Sequence, residues 1–325
     1  MDTGIDTSHP ELSGVLDTAN GWDFVNNTGN VNSCDTLHAV RIAGIIGAVS
    51  NNQEGIAGIA GNATIIPVKI IENGIGYTSA ALEALDFAIG KGAKIINCSW
   101  GSPHYNPALR SIMEENPEVL FICAAGNNGT EQYIYPAAFR LPNVVSVTSV
   151  NNQGNLAYQS NYGSRVITAA PGEDIYTLSN GQDYGYASGT SMAAAFATGA
   201  AALYQGLSPD KTAIDTAMAL KLGVSPLTDL SDIVMSGGII NLEAMLAVTD
   251  EEIQAELDSR DFGEDEYDDE DSPLIPLANG VLERTDYYLG APQTISTDSE
   301  EVNLCIQAKI ISFRRNNSMG WRYYL

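Results

Sequence analysis

Apolar runs alternate with helical patterns along the first 248 residues of the chain. Five runs rich in Val and Ile show little polar alternation, which is typical of strands buried on both faces of a parallel sheet: 64–71, 94–99, 119–124, 143–150 and 165–170. Residues 78–91 carry apolar side chains at helical spacing, and Thr78 or Ser79 could cap their start. The alternation predicts an α/β fold with a mostly parallel central sheet and helices on both faces.

Acidic residues are concentrated in one short part of the chain. The formal net charge is -25, from 15 Lys and Arg against 40 Asp and Glu. This balance argues against nucleic acid or an anionic membrane surface as a partner, since both require clustered basic residues. Residues 250–271 hold 13 of the acidic side chains and one Arg. The predicted organisation is a domain at 1–248, an acidic and disordered linker at 249–272, and a small tail of unknown role at 273–325.

Cysteine usage and hydropathy add few constraints. Cys34, Cys98, Cys123 and Cys305 show no C-x-x-C spacing, and we expect free buried thiols. No run reaches the roughly 20 apolar residues of a membrane helix, so we expect no transmembrane segment. The sequence shows no signal-peptide pattern, and neither localisation nor oligomeric state is predicted by the residues themselves.

Four stretches carry polar groups suited to catalysis. Asp2 opens a D-T-G turn, Ser191 begins a helix of small residues, Asn127 follows an apolar strand, and Ser99 ends another. A Ser at a helix start lies near the positive end of the helix dipole, and an Asn amide can donate to a developing oxyanion. Each feature alone also has a structural explanation: Asp2 and Asn127 as turn residues, and Ser191 as an N-cap. The strand end at Ser99 could pair with an extended peptide.

Together these stretches resemble the subtilisin-like serine peptidases, the subtilase or peptidase S8 family, over residues 1–248. The matching segments are MDTGIDTSHPEL, INCSWGS, AAGNNG and GTSMAAAFATGAAAL. The resemblance implies a three-layer subtilisin-like fold, with Asp2 as the triad aspartate, Ser191 as the nucleophile and Asn127 as the oxyanion donor. It also implies a cleft for a peptide or protein, lined by Ser99, Trp100, Gly101, Ala125 and Gly126.

The same resemblance implies an extracellular enzyme that needs no cofactor for its chemistry. Calcium is a further expectation of the family, and the loop at 50–55 offers oxygen ligands of the kind that Ca²⁺ prefers. This loop does not match the family's binding pattern closely.

The family's histidine segment, H-G-T-H-V-A-G, is matched here by HAVRIAG at 38–44. We assign its first histidine to His38 and its catalytic position to Arg41. Arginine stays protonated and has no acceptor, so it cannot activate a serine, and we expect Arg41 to pair with the carboxylate of Asp2. Rescue by His38 would require a shift of about one helical turn.

Three interpretations follow. The favoured one is a pseudoprotease that keeps a peptide-binding groove but is catalytically impaired. The second is an active serine endopeptidase that forms an acyl-enzyme on Ser191. The third is a structural fragment that folds poorly, because Met1 stands where the family has an apolar strand running into the Asp.

Overall fold

The structure is a computed structural model that describes residues 1–33, 36–260 and 262. The strands are β1 (Trp22–Asp23), β2 (Val68–Lys69), β3 (Ile71–Glu72), β4 (Ile75–Gly76), β5 (Ile95–Cys98), β6 (Leu120–Ala124), β7 (Val144–Val150), β8 (Thr168–Pro171), β9 (Ile175–Leu178), β10 (Tyr184–Ala187), β11 (Val224–Pro226) and β12 (Gly238–Ile240). The α-helices are α1 (Leu37–Gly47), α2 (Thr78–Gly90), α3 (Pro107–Glu114), α4 (Thr190–Leu207), α5 (Ala213–Leu222), α6 (Leu242–Ala247) and α7 (Asp250–Ser259).

A six-stranded sheet forms the centre of the fold, in the order β11-β12-β8-β7-β6-β5. Strands β5 to β8 and β12 run parallel, and β11 closes one edge in the antiparallel direction. The predicted runs 94–99, 119–124, 143–150 and 165–170 contain or overlap β5, β6, β7 and β8. The predicted run 64–71 is instead divided between β2 and β3, which belong to separate two-stranded sheets. The prediction of a mostly parallel sheet is therefore confirmed, with one of the five runs outside it.

Helices cover both faces of this sheet, as the alternation predicted. Side chains of β6 alternate between the faces: Phe121 and Cys123 pack with α2 and α3, while Leu120 and Ile122 pack with α4 and α5. This placement explains the uninterrupted apolar pattern of the strand, because neither face is exposed to water. Helix α2 begins at Thr78, as predicted, although neither predicted side chain caps it and the N-cap is Tyr77.

Helix α4 lies directly on the strands β5 to β8. Its small residues at the sheet face, among them Ala193, Ala194, Ala197 and Ala201, are completely buried. Short side chains allow the helix backbone to approach the sheet closely. The start of α4, where Ser191 lies, is consequently held at a fixed distance from the ends of the strands.

Cys98 and Cys123 lie directly opposite each other on β5 and β6, and both are buried and free. Burial and a hydrogen bond with Cys98 raise the pKa of the Cys123 thiol well above its usual value. The expectation of free buried thiols is confirmed for these two residues, whereas Cys34 and Cys305 lie outside the described residues.

The prediction that residues 249–272 form a disordered linker is wrong for its first part. Residues 250–259 form helix α7, which starts with a capping box between Thr249 and Glu252. Ile253 is 3% exposed and packs, with Leu257 and Phe262, against the core beneath α5. Helix α7 could not be predicted from composition, because the segment is mostly acidic and the apolar face of the helix consists of very few residues. The domain thus extends beyond residue 248, and the predicted tail at 273–325 lies outside the described residues.

Within the described ranges, no helix is long and apolar enough to cross a membrane.

Replacing Ile253 by Ala tests whether α7 belongs to the folded domain. We expect the free energy of unfolding to fall by about 2–5 kcal/mol, because the substitution leaves a cavity in a packed interface. Gln254→Ala, at an exposed neighbouring position, is the matched control and should change stability by about 0.5 kcal/mol or less. Chemical denaturation measures both values, and equal small effects would show that α7 does not contribute to the domain's stability.

Candidate active site

The Asp2 carboxylate is bound by His38. The distance from His38 Nδ1 to Asp2 Oδ1 is 2.6 Å, and the Thr3 backbone N–H donates to the same oxygen at 2.7 Å. Both Asp2 and His38 are 7% exposed. Burial alone would raise the pKa of Asp2, but the charge and hydrogen bond of His38 outweigh it, so that the pKa is lowered. Asp2 is thereby kept ionised beside an imidazole that it orients.

The predicted pairing of Arg41 with Asp2 is wrong, because His38 occupies the carboxylate. His38 lies in the first turn of α1, facing Asp2, and Arg41 follows almost one turn later. Three residues advance a helix by about 4.5 Å and 300°, which carries the Arg41 side chain away from the carboxylate. The Arg41 carbonyl accepts a hydrogen bond from Thr177 Oγ1 on β9 at 3.0 Å. His38, and not Arg41, is therefore the residue of this segment that contacts Asp2.

Arg41 has a different environment from the one expected of it. Its side chain is half-buried, its Nε has no hydrogen-bond partner, and burial lowers its pKa. We find no physical account of why an arginine stands at this position.

Ser191 lies in the first turn of α4 and is 6% exposed. Its Oγ is 3.4 Å from the carbonyl oxygen of Ser99, at the end of β5. The preceding Gly189 adopts φ +146°, a conformation that disfavours residues with a side chain. This turn places the Ser191 hydroxyl and its backbone N–H together at the positive end of the helix dipole, where first-turn N–H groups have no acceptor within the helix.

Asn127 reaches the same helix start from the loop after β6. Its Oδ1 accepts hydrogen bonds from the Thr190 backbone N–H at 2.8 Å and from Thr190 Oγ1 at 3.1 Å. Because a backbone N–H can only donate, the side-chain oxygen must face Thr190, and the Nδ2 donors must point the other way. Asn127 is therefore held at the start of α4 with its amide protons directed away from Thr190, an orientation that suits an oxyanion donor.

The loop that carries Asn127 is fixed by Asn161. Asn161 Oδ1 accepts from the backbone N–H groups of Asn128 at 2.9 Å and Thr130 at 3.4 Å. A Cβ on Gly126, which has φ +108°, would lie 2.6 Å from Asn161 Nδ2, so only glycine fits there. The sequence patterns assigned Asn161 no role.

A hydrogen-bond chain connects the end of β5 with α4. Thr198 Oγ1 donates to Asn97 Oδ1 at 2.9 Å, Asn97 Nδ2 donates to Ser99 Oγ at 2.8 Å, and Ser99 Oγ donates to the Ser191 carbonyl at 3.2 Å. All four side chains are buried. Ser99, expected at the cleft through its backbone, also positions the nucleophile's turn with its side chain. Neither Asn97 nor Thr198 was singled out by sequence reasoning.

The predicted cleft residues differ in whether their side chains lie in the core or next to a cavity. The indole of Trp100 is 2% exposed and packs in the core on the α2 side, so this side chain does not line an open cleft as expected. Gly101 is a close-approach position, since a Cβ there would meet Ile134 Cγ2 at 2.4 Å. Ala125 and Gly126 follow β6, and a narrow cavity beside Ala125 is lined by Gln132, Tyr133, Ile134 and Tyr162. These four lining residues carry no sequence signal that could have identified them.

The calcium prediction for the loop at 50–55 stays a prediction. Among the described residues no group of three or more His, Cys, Asp and Glu could hold a metal ion. One buried carboxylate, Glu11, lies near this loop and has an Oε2 without a partner, while its Oε1 accepts from the Tyr184 hydroxyl at 2.8 Å.

The site thus contains a carboxylate–imidazole pair, a serine at a helix start and an orienting asparagine amide, a set of groups typical of serine hydrolases. The subtilase family profile matches residues 1–227, and the chain belongs to this family.

Several characterised proteins are similar to the chain. It is 38% identical over 206 residues to the "Thermophilic serine proteinase" of Bacillus sp. (strain AK1), covering 62% of this chain and 50% of that protein. It is 37% identical to "Thermitase" of Thermoactinomyces vulgaris, covering 62% of this chain and 72% of that protein. The chain thus spans half the length of the first relative and about three quarters of the second.

A solved structure shows the same fold. The "cold adapted subtilisin-like serine proteinase" superimposes with a TM-score of 0.63 at 29% identity, covering 74% of this chain and 84% of that one. The three-layer subtilisin-like fold implied by the sequence resemblance is confirmed.

The pH dependence of stability tests the Asp2–His38 contact. A carboxylate whose pKa is lowered by folding stabilises the protein above its usual pKa of 3.8, and this contribution is lost as the pH falls further. We expect the difference in free energy of unfolding between the unmodified protein and Asp2→Asn to be greatest near about pH 5 and to shrink towards about pH 2. Denaturant titrations across this range measure it, and a difference independent of pH would contradict the pairing.

Proposed function

We propose that the chain is a serine endopeptidase in which Ser191 attacks the peptide carbonyl, His38 is the general base, Asp2 orients His38, and Asn127 binds the oxyanion. The 2.6 Å contact of His38 Nδ1 with Asp2 Oδ1 carries the proposal. It supplies the base that the sequence interpretation found missing when Arg41 was placed in that role.

The reaction begins with proton transfer from the nucleophile. Because Asp2 holds His38 through Nδ1, Nε2 is the basic nitrogen of the ring and takes the proton of Ser191 Oγ as this atom attacks. Helices α1 and α4, which carry these residues in their first turns, pack against each other through Ile42 and Met192, among others. The negative charge of Asp2 then stabilises the imidazolium that forms.

The oxyanion is stabilised by two donors of this chain. The amide protons of Asn127 and the backbone N–H of Ser191, both at the start of α4, donate to the developing charge. Collapse of the tetrahedral intermediate transfers the proton from His38 to the leaving amine and leaves an acyl group on Ser191. Water, activated by the same histidine, then releases the acid and restores the enzyme.

Substrate binding is assigned to the backbone at the ends of β5 and β6. Residues 99–101 and 125–126 follow neighbouring parallel strands, so an extended peptide can pair with their backbones across the start of α4. This arrangement supports a peptide or protein as the substrate. An extracellular location remains a proposal from the family alone.

A pseudoprotease that binds peptides without cleaving them is the alternative proposal. Its original reason, the presence of Arg41 at the position of the base, loses support because His38 contacts Asp2. It retains one supporting observation, which is that Ser191 Oγ donates a hydrogen bond to the Ser99 carbonyl at 3.4 Å, because a hydroxyl that donates there does not donate to the base.

Replacing His38 and Arg41 separately decides between the two assignments of the base. We expect His38→Ala to lower kcat for a peptide substrate about 10⁶-fold, the loss measured when a subtilisin, a member of this family, loses its triad histidine. Arg41→Ala should stay within about tenfold of the unmodified protein, because Arg41 does not contact Asp2. An unmodified protein that binds the peptide but does not cleave it would support the pseudoprotease instead.

Replacing Asn127 tests the oxyanion donor. We expect Asn127→Ala to lower kcat about 10²- to 10³-fold with little change in KM, since the donor acts on charge that exists only in the transition state. Asn128→Ala is the matched control, because its side chain binds Gln132 on the exposed loop instead of the α4 start. Steady-state kinetics measure both, and equal effects of the two substitutions would remove Asn127 from this role.

A further inference from the structure

The side chain of Ile134 lies between the two segments to which the proposed function assigns the substrate. A Cβ on Gly101, which follows β5, would lie 2.4 Å from Ile134 Cγ2, and a Cβ on Gly126, which follows β6, would lie 2.8 Å from Ile134 Cγ1. Both glycines are therefore in close contact with the same isoleucine side chain. Ile134 is partly exposed, unlike the buried Tyr135 next to it. An isoleucine thus fills the space between the two segments that would hold a peptide.

The position of Ile134 is fixed by the residue that follows it. The Tyr135 backbone N–H donates to the Ser102 carbonyl at 2.7 Å, and the Ser102 backbone N–H donates to the Tyr135 carbonyl at 2.9 Å. The Tyr135 ring is buried and packs against the rings of Tyr105 and Phe139. Because these contacts tie the segment of Ile134 to the end of the segment after β5, Ile134 is not free to withdraw from the glycines when a peptide binds.

The cavity next to Ile134 offers almost no additional room. Ile134 and Ala125 both line it, together with the buried side chains of Ala138 and Val166. Its volume is about 10 Å³, which is roughly the space that one water molecule requires. This cavity therefore gives no deeper space to a substrate side chain that meets Ile134.

The substrate residue that supplies the attacked carbonyl must lie beside both segments. Its carbonyl carbon has to reach Ser191 Oγ, which is 3.4 Å from the Ser99 carbonyl oxygen. Its carbonyl oxygen has to reach the amide of Asn127, which directly follows Gly126 in the chain. The space nearest to the side chain of this substrate residue is consequently the gap between the two segments.

We propose that this side chain enters the gap between Gly101 and Gly126, and that Ile134 limits it to small aliphatic groups. The inference rests on the proposed function and names its substrate class: the protein cleaves peptides after residues such as alanine and rejects aromatic residues there. One methylene group in an apolar pocket already changes kcat/KM by about 10- to 200-fold, so a phenyl ring that overlaps Ile134 is a strong reason for rejection. Ile134 is thus a specificity-determining residue.

Two substrates that differ only in this side chain test the proposal. The p-nitroanilides of succinyl-AAAA and succinyl-AAAF release the same chromophore, and kcat/KM is measured for both with the full chain. We expect the unmodified protein to favour the alanine substrate at least tenfold. In Ile134→Gly, which removes the whole side chain from the gap, this ratio should fall at least tenfold, because the phenyl ring gains the space that the isoleucine filled.

A second variant and a matched control separate specificity from a general loss of packing. Ile134→Ala, which retains a Cβ and makes the backbone less flexible than glycine does, should lower the ratio in the same direction, at least threefold. Ile89→Ala removes the same atoms from a partly buried isoleucine of α2 and should leave the ratio unchanged. The thermal midpoint of each variant shows that the protein assayed is folded.

A binding measurement keeps the proposal testable without catalysis. The peptides succinyl-AAAA and succinyl-AAAF are titrated by calorimetry into Ser191→Ala, which cannot form an acyl-enzyme. We expect the alanine peptide to bind at least five times more tightly, and this difference should disappear when Ile134→Gly is added to the same protein.

The outcomes distinguish failure of this inference from failure of the proposed function. If the unmodified protein cleaves neither substrate but shows the expected binding difference, the endopeptidase activity is wrong and the role of Ile134 stands. If it cleaves the phenylalanine substrate as well as or better than the alanine substrate, or if Ile134→Gly leaves the ratio unchanged, the role of Ile134 is overturned and the endopeptidase activity stands. Neither cleavage nor binding of either peptide would overturn both.

Discussion

The burial of the Asp2 carboxylate is the constraint on which the site depends. An ionised carboxylate away from water is costly unless it is paired and hydrogen-bonded. Here His38 and the Thr3 backbone N–H share one of its oxygens, while the other has no partner. The imidazole is thus needed to keep Asp2 charged, and Asp2 in turn fixes which nitrogen of the imidazole can act as a base. Stability and reactivity rest on the same 2.6 Å contact.

The second constraint is the close packing of helix α4 on the central sheet. Its alanines allow close packing on the parallel strands, and the chain of hydrogen bonds from Thr198 to the Ser191 carbonyl fixes its rotation. Asn127 is fixed to the start of this helix, because its Oδ1 accepts a hydrogen bond from the Thr190 backbone N–H. Ser191 and Asn127, the proposed nucleophile and oxyanion donor, are consequently positioned by the packing of α4 and by hydrogen bonds to its start.

Much of this could be predicted from the sequence. The central strands followed from their two-sided apolar pattern, and the segments around Asp2, Ser191 and Asn127 followed from short motifs. The predicted pairing of Arg41 with Asp2 was wrong for a simple physical reason. The family motif has two histidine positions, which correspond to residues 38 and 41 of helix α1. Only the packing of α1 decides which of these two residues faces Asp2. The position of Trp100 in the core and the existence of α7 also depend on tertiary contacts. Composition, which marked residues 250–271 only as acidic, could not reveal that Ile253 is buried.

The central claim is that Ser191 becomes a nucleophile because Asp2 and His38 activate it. Trapping of the acyl-enzyme tests this most directly: the protein is mixed with an activated ester of a short peptide, quenched in acid, and analysed by intact mass and peptide mapping. The account predicts one acyl group on Ser191 in the unmodified protein and in Arg41→Ala, and none in His38→Ala. Absence of the acyl group from the unmodified protein, or its presence in His38→Ala at the same rate, would contradict it.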